Sequence, residues 1–139
     1  MAAFRTELCI RFRHCDLAGI VFYPRYVELL NDVVEDWFAV MGLPFGDLLR
    51  QGLAAPMAAL DVQFQKPSRL GETLATTLEV ERIGRTSCRI MVRLVGPDAV
   101  QRVTFQATMV SAALAEMRPQ PWPDALRLAM SRYLADEAA

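Results

Sequence analysis

Residues 4–14 alternate between apolar and polar side chains, with Phe4, Leu8, Ile10 and Phe12 on one side and Arg5, Glu7, Arg11 and Arg13 on the other. A two-residue period puts the two sets on opposite faces of an extended chain, so this segment is predicted as a half-buried strand. The alternation stops in the stretch HCDLAGIVFY, read as a loop, and a different period begins at Pro24. Over residues 24–41 the apolar positions Tyr26, Val27, Leu29, Leu30, Val33, Val34, Trp37, Phe38, Val40 and Met41 recur at helical spacing. Pro24 suits a first helical turn, where its missing N–H has no partner to lose, and Gly42 with Pro44 closes the end. The apolar set covers far more than the ~100° stripe of a surface helix. Only Arg25, Glu28, Asp32, Glu35 and Asp36 remain as a polar strip. Such a helix has to be enclosed by other elements.

A short helical turn is expected over 45–50, and the remainder returns to a period of two. Residues 55–66 carry Ala58, Leu60, Val62 and Phe64 on one face, and 72–83 carry Leu74, Thr76, Leu78 and Val80. Residues 85–95 set Cys88, Ile90, Val92 and Leu94 against Arg85, Ser87, Arg89, Met91 and Arg93. Residues 100–114 group Val103, Phe105, Ala107 and Met109. Turns are predicted at 67–71, at Gly84 and at Gly96-Pro97-Asp98, where glycine and proline supply the geometry. A last helix over 123–136 follows the proline-rich RPQPWP. One strand, one enclosed helix and four successive strands predict an α+β domain, an antiparallel sheet curled around a central helix, over residues 1–139. No repeat, linker or charge block divides the chain.

Composition removes several classes of function. Fifteen basic and sixteen acidic residues leave a net charge of −1, without the basic excess of a nucleic-acid binder. No run of apolar residues approaches the roughly 18 needed to span a membrane. Arg5, Glu7, Arg11 and Arg13 occupy the place of a signal peptide's apolar stretch, so a soluble, cytoplasmic protein is expected. Cys9, Cys15 and Cys88 form no metal-binding spacing and read as free thiols, with Cys9 and Cys88 expected in the core. With His14 the only histidine, neither a zinc site nor a Ser-His-Asp triad is expected within one chain.

Candidate chemistry concentrates between residues 14 and 31. Asp16 precedes the N-terminus of the enclosed helix, where unpaired N–H groups and the positive dipole end can stabilise an oxyanion. A carboxylate beside such donors can act as nucleophile or general base toward a carbonyl, although an Asp before a helix also serves as a plain cap. Gly19 permits close backbone approach to a ligand. Cys15 is the neighbouring rival nucleophile, with nothing local to generate its thiolate.

The segment HCDLAGIVFYPRYVELLNDVVEDWFAVMGLP resembles the opening of the 4-hydroxybenzoyl-CoA thioesterase family. The likeness lies in Cys15-Asp16, Ala18-Gly19-Ile20-Val21, Tyr23-Pro24, Tyr26 and Gly42-Leu43-Pro44. It implies the hot-dog fold, about five antiparallel strands wrapped around the helix, and hydrolysis of acyl-CoA thioesters. It further implies Asp16 as the catalytic carboxylate and the Tyr23 N–H as the donor to the thioester carbonyl. His14, Gly19 and Ile20 fall beside the substrate in that picture. Asn31 stands where relatives carry an acid directed into the acyl pocket. Pro24 replaces the histidine that a related branch carries after the tyrosine. The turn VERIGRTSC matches one whose basic residues lie near CoA phosphates, which selects Arg82 and Arg85, with Arg89 beside them; arginine forks suit phosphate oxygens. No cofactor is implied beyond the CoA of the substrate. A homodimer or homotetramer with active sites at the subunit interface is implied as well. Two other readings of the same residues are a non-catalytic acyl-CoA-binding module and a hydratase, the latter lacking a histidine downstream of Asp16.

Overall fold

The computed structural model describes residues 3–135. The chain runs β1 (Phe4–Cys9), a 3-10 turn (Phe12–His14), α1 (Arg25–Val40), α2 (Phe45–Arg50), β2 (Leu53–Ala54) and β3 (Met57–Phe64). It continues through β4 (Thr73–Ile83), β5 (Ser87–Val95), β6 (Gln101–Val110), β7 (Ala112–Ala113), β8 (Arg118–Pro119) and α3 (Asp124–Ser131). Five strands form one antiparallel sheet in the order β1-β4-β5-β6-β3. The two-residue strands β2, β7 and β8 form a separate small sheet that the sequence pattern did not reveal.

The sheet curls around α1, the α+β hot-dog arrangement expected. From α1, Tyr26, Leu29, Leu30, Val33, Val34, Trp37 and Phe38 are buried. They meet Leu74, Leu78 and Val80 of β4, Cys88, Ile90, Val92 and Leu94 of β5, and Val103, Phe105 and Met109 of β6 in one core. Each large apolar side chain so buried stabilises the fold by about 1.5–3 kcal/mol. Gly42 ends the helix at φ +90°, a left-handed value that a side chain would resist.

Several boundaries differ from expectation for physical reasons. β1 ends at Cys9: Ile10 still gives its N–H to the Glu72 carbonyl, and the Arg11–His14 bonds then turn the chain into the 3-10 segment. Phe12, expected inside, is 81% exposed, and Cys9 is exposed rather than in the core. The strand expected over 100–114 breaks after Val110 and resumes as β7. The last helix stops at Ser131, and Leu134 instead bridges in parallel to Val80; Asp136 lies outside the described residues. Val27 and Val40 of α1 are exposed, so the enclosure of the helix is incomplete. The open side adjoins β3, an edge strand whose Met57, Leu60 and Phe64 are all exposed. Among the described residues no helix is long and apolar enough to cross a membrane.

Candidate active site

Residues 15–21 form a tight loop. Cys15 bridges Val21, the Asp16 N–H donates to the Ile20 carbonyl at 3.0 Å, and the Gly19 N–H donates to the Asp16 carbonyl at 3.0 Å. Gly19 takes φ +75°, which closes this turn. Asp16 Oδ1 accepts the Ala18 N–H at 2.9 Å, the self-bonding turn to which aspartate is suited. Oδ2 has no partner among the described residues. Asp16 is exposed and opens onto a recess of about 410 Å³ lined by Phe12, Cys15, Leu17, Gly19 and Leu70. No protein atom stands within 4 Å of where a Cβ at Gly19 would lie, so the backbone there is bare.

The loop leads directly into α1. Its Arg25, Tyr26 and Val27 N–H groups bond back to the carbonyls of Phe22, Tyr23 and Pro24. The Tyr23 N–H has no acceptor among the described residues. A free donor at the positive end of a helix is suited to a developing oxyanion. The Tyr23 ring is 65% exposed and meets Phe22 and Phe64 edge-on, at centroid distances of 5.6 and 6.3 Å. With Ile20, Tyr26 and Lys66, Tyr23 and Phe64 wall a second recess of about 310 Å³.

His14 lies buried beneath the loop. Its Nδ1 accepts the Arg11 N–H at 2.9 Å and its carbonyl accepts the Phe22 N–H at 2.9 Å. Burial, reinforced by Arg13, lowers its pKa from the ordinary 6.5, so it is neutral at pH 7. Burial and the adjacent Asp16 raise the pKa of the Cys15 thiol, which keeps it protonated and a poor nucleophile.

The other expected site residues lie further off. Asn31 sits eight residues beyond Tyr23 on α1, roughly 12 Å along the axis. It lines an apolar groove of about 320 Å³ with Val27, Leu30, Val34, Met57 and Leu60. Arg82 lies at the opposite end of β4 from the Asp16 loop, roughly 30 Å along the strand. There it borders a groove shared with Asp124, Arg127 and Leu128 of α3. Arg85 is exposed in the β4–β5 turn, and Arg89 stands directly opposite Arg82 across the strands. Among the described residues no carboxylate pairs with any of the three. The loop thus holds Asp16 and Gly19 on one recess, Ile20 and Tyr23 on a second and His14 buried beneath both, and leaves Asn31, Arg82 and Arg85 in two other places. Among the described residues no group of three His, Cys, Asp or Glu side chains is arranged to hold a metal ion. Sequence reading missed Arg102, buried within reach of the segment that carries the loop. The signal available was an arginine adjoining the inward run that begins at Val103.

Comparison with known proteins converges on one group. A family model described as the thioesterase-like superfamily matches residues 10–130. A 1,4-dihydroxy-2-naphthoyl-CoA hydrolase of Synechococcus elongatus is 25% identical over 96 residues, covering 68% of this chain and 71% of the relative. The structure of a 1,4-dihydroxy-2-naphthoyl-CoA thioesterase from Synechocystis superposes with a TM-score of 0.86 at 20% identity, over 94% of this chain and 96% of that one. A Staphylococcus aureus protein solved in complex with CoA gives a TM-score of 0.91 at 13% identity, over 99% and 89% of the two chains.

Proposed function

The chain belongs to the thioesterase-like superfamily, and from that premise we propose that it hydrolyses aromatic or short- to medium-chain acyl-CoA thioesters with Asp16 as the working carboxylate. The observation that carries this reading is the pairing of an exposed Asp16, one oxygen uncommitted, with the free Tyr23 N–H at the head of α1. The thioester carbonyl oxygen takes the Tyr23 N–H, which stabilises the negative charge as the carbon becomes tetrahedral. Asp16 then acts in one of two ways. As nucleophile it forms a mixed anhydride and expels the CoA thiolate, and water cleaves the anhydride. As general base it takes a proton from water, which adds to the carbonyl and expels the same thiolate. Both routes consume one water and yield a carboxylic acid and CoA thiol.

The names of the relatives put a hydroxylated bicyclic aryl group, rather than 4-hydroxybenzoyl, first among the acyl groups to try. The apolar groove beside Asn31, with one amide to hydrogen-bond a ring substituent, suits such a group. Arg82 and Arg85 serve the CoA phosphates. Because they stand so far from Asp16 of their own chain, the site is shared between copies of the chain, in a homodimer or homotetramer. The exposed β3 edge is the surface for that association.

Thiol release from a panel of aromatic, short-chain and long-chain acyl-CoAs tests the reading. Release from the aromatic members supports it. Binding without release identifies a non-catalytic module, and loss of enoyl-CoA absorbance without release identifies a hydratase.

A further inference from the structure

Along β6 the inward side chains alternate from Val103 to Met109, yet Arg102, next to Val103, is buried as well. Two adjacent inward residues break the period of a strand and call for one extra residue in it. The pairing contains that irregularity: Leu94 faces Val103 and Val95 faces Gln101, which leaves Arg102 over. The bulge turns a charged side chain, 2% exposed, under the end of the sheet.

A charge so placed needs close partners, and the two terminal nitrogens have them while Nε has none among the described residues. Arg102 Nη1 donates to Glu72 Oε1 at 2.8 Å, to the Pro67 carbonyl at 3.2 Å and to Ser68 Oγ at 3.3 Å. Nη2 donates to Glu72 Oε2 at 3.1 Å and Asp98 Oδ1 at 2.9 Å. Glu72 Oε1 also accepts the Arg69 N–H at 2.6 Å. Gly96 makes room for the guanidinium, since a methyl group there would overlap it. The fork therefore grips residues 67–72, a segment with no long strand or helix of its own. That segment in turn holds the Asp16 loop. The Ser68 carbonyl accepts the Val21 N–H at 2.9 Å, the Leu70 N–H donates to the Gly19 carbonyl at 3.1 Å, and Arg69 bridges Ile20.

We propose that Arg102 is a positioning residue: acting through residues 67–72, it fixes the loop that aims Asp16 at the thioester. The inference rests on the reading of Asp16 given above. Arg102, 2% exposed, offers no surface to a substrate, so its loss misplaces the carboxylate without removing binding contacts.

Two variants of different chemistry test this. Glu72→Gln loosens the fork at a side chain that is 25% exposed, and Gly96→Ala displaces the guanidinium without altering any charge. In each, amide hydrogen exchange at Val21 and Leu70 rises at least about tenfold. Turnover falls about 10- to 100-fold, as for a reacting group moved by an ångström, while KM stays within about twofold. Arg102→Lys, which keeps the charge and loses the fork, lies between wild type and these variants. Glu79→Gln, which breaks the Arg93–Glu79 pair elsewhere in the sheet, leaves both readouts unchanged. Wild-type exchange at Val21 and Leu70 in Glu72→Gln overturns the proposal, and so does raised exchange with wild-type kcat. Should Gly96→Ala not fold, Glu72→Gln alone decides. Exchange is read without turnover, so failure to find a substrate defeats the reading of Asp16 and still leaves the hold of Arg102 on the loop decided.

Discussion

Asp16 uses Oδ1 to close its own loop and leaves Oδ2 to the solvent, so the two oxygens are separable by mutation. Asparagine keeps an acceptor for the Ala18 N–H and loses the carboxylate proposed as nucleophile or base. Asp16→Asn is expected to unfold at the wild-type temperature while kcat falls at least ~10²-fold; thermal unfolding and steady-state kinetics on one preparation check both. Near-wild-type turnover in a folded variant removes the assignment. His14 makes a different prediction, about pH. Burial holds its folded pKa below 6.5, with Arg13 and Arg25 adding to the effect and Asp32 and Glu28 opposing it. The unfolded chain therefore takes up a proton at a higher pH than the folded one. Stability contributed by neutral His14 is full above pH 6.5 and is lost as pH falls from there through the folded pKa. Urea unfolding at a series of pH values should show this slope, and His14→Gln should flatten it. Glu72 and Asp98, both held below their ordinary pKa values chiefly by hydrogen bonds from Arg102 and Lys66, respond only in the more acidic range.

At the scale of elements, the period of the side chains foretold α1 and the cores of β4, β5 and β6, because those elements bury one face and expose the other. It misjudged β1 beyond Cys9, because Phe12 fits the alternation while the Arg11–His14 bond turns the chain. It was silent on β2, β7 and β8, which are too short to show any period. For the site, the Asp16–Tyr23 segment stood out through its resemblance to a known family, since an aspartate ahead of a helix is by itself equally a cap. Arg102 was not, because its partners Pro67, Ser68 and Glu72 are thirty or more positions away in the chain. Strand β3 carries the prediction proper to this scale. Leu60 and Phe64 are 39% and 54% exposed on an unpaired edge. Arginine at either position leaves the fold intact and sets like charges against each other in a paired assembly. Leu60→Arg and Phe64→Arg should sediment as monomers with native circular dichroism and lowered turnover. Wild-type assembly in both would place the interface elsewhere.

For the whole molecule, Asp16 and the pair Arg82 and Arg85 stand at opposite ends of β4, so a single substrate can meet both only across two copies of the chain. Arg82 and Arg89 face each other across β4 and β5, a like-charge pair that costs stability unless an anion lies between them. If phosphates lie there, Arg82→Ala with Arg85→Ala raises KM more than it lowers kcat, because the contacts exist in ground and transition states alike. The loss should shrink in high salt and nearly vanish for a pantetheine thioester, which lacks the nucleotide. Equal losses for full and truncated substrates would mark the arginines as a solvated strand face. The two margins of the main sheet are unequal in a way that bears on growth. β3 offers eight residues with only Asp61 charged, whereas β1 offers six and presents Arg5 and Glu7 to solvent. If two β3 margins join about a twofold axis as proposed, both adhesive sides are consumed in one event, and each free end then bears a short, charged β1. The extended sheet has no sticky terminus on which to add another copy, so crowding should yield closed particles of fixed size instead of fibres.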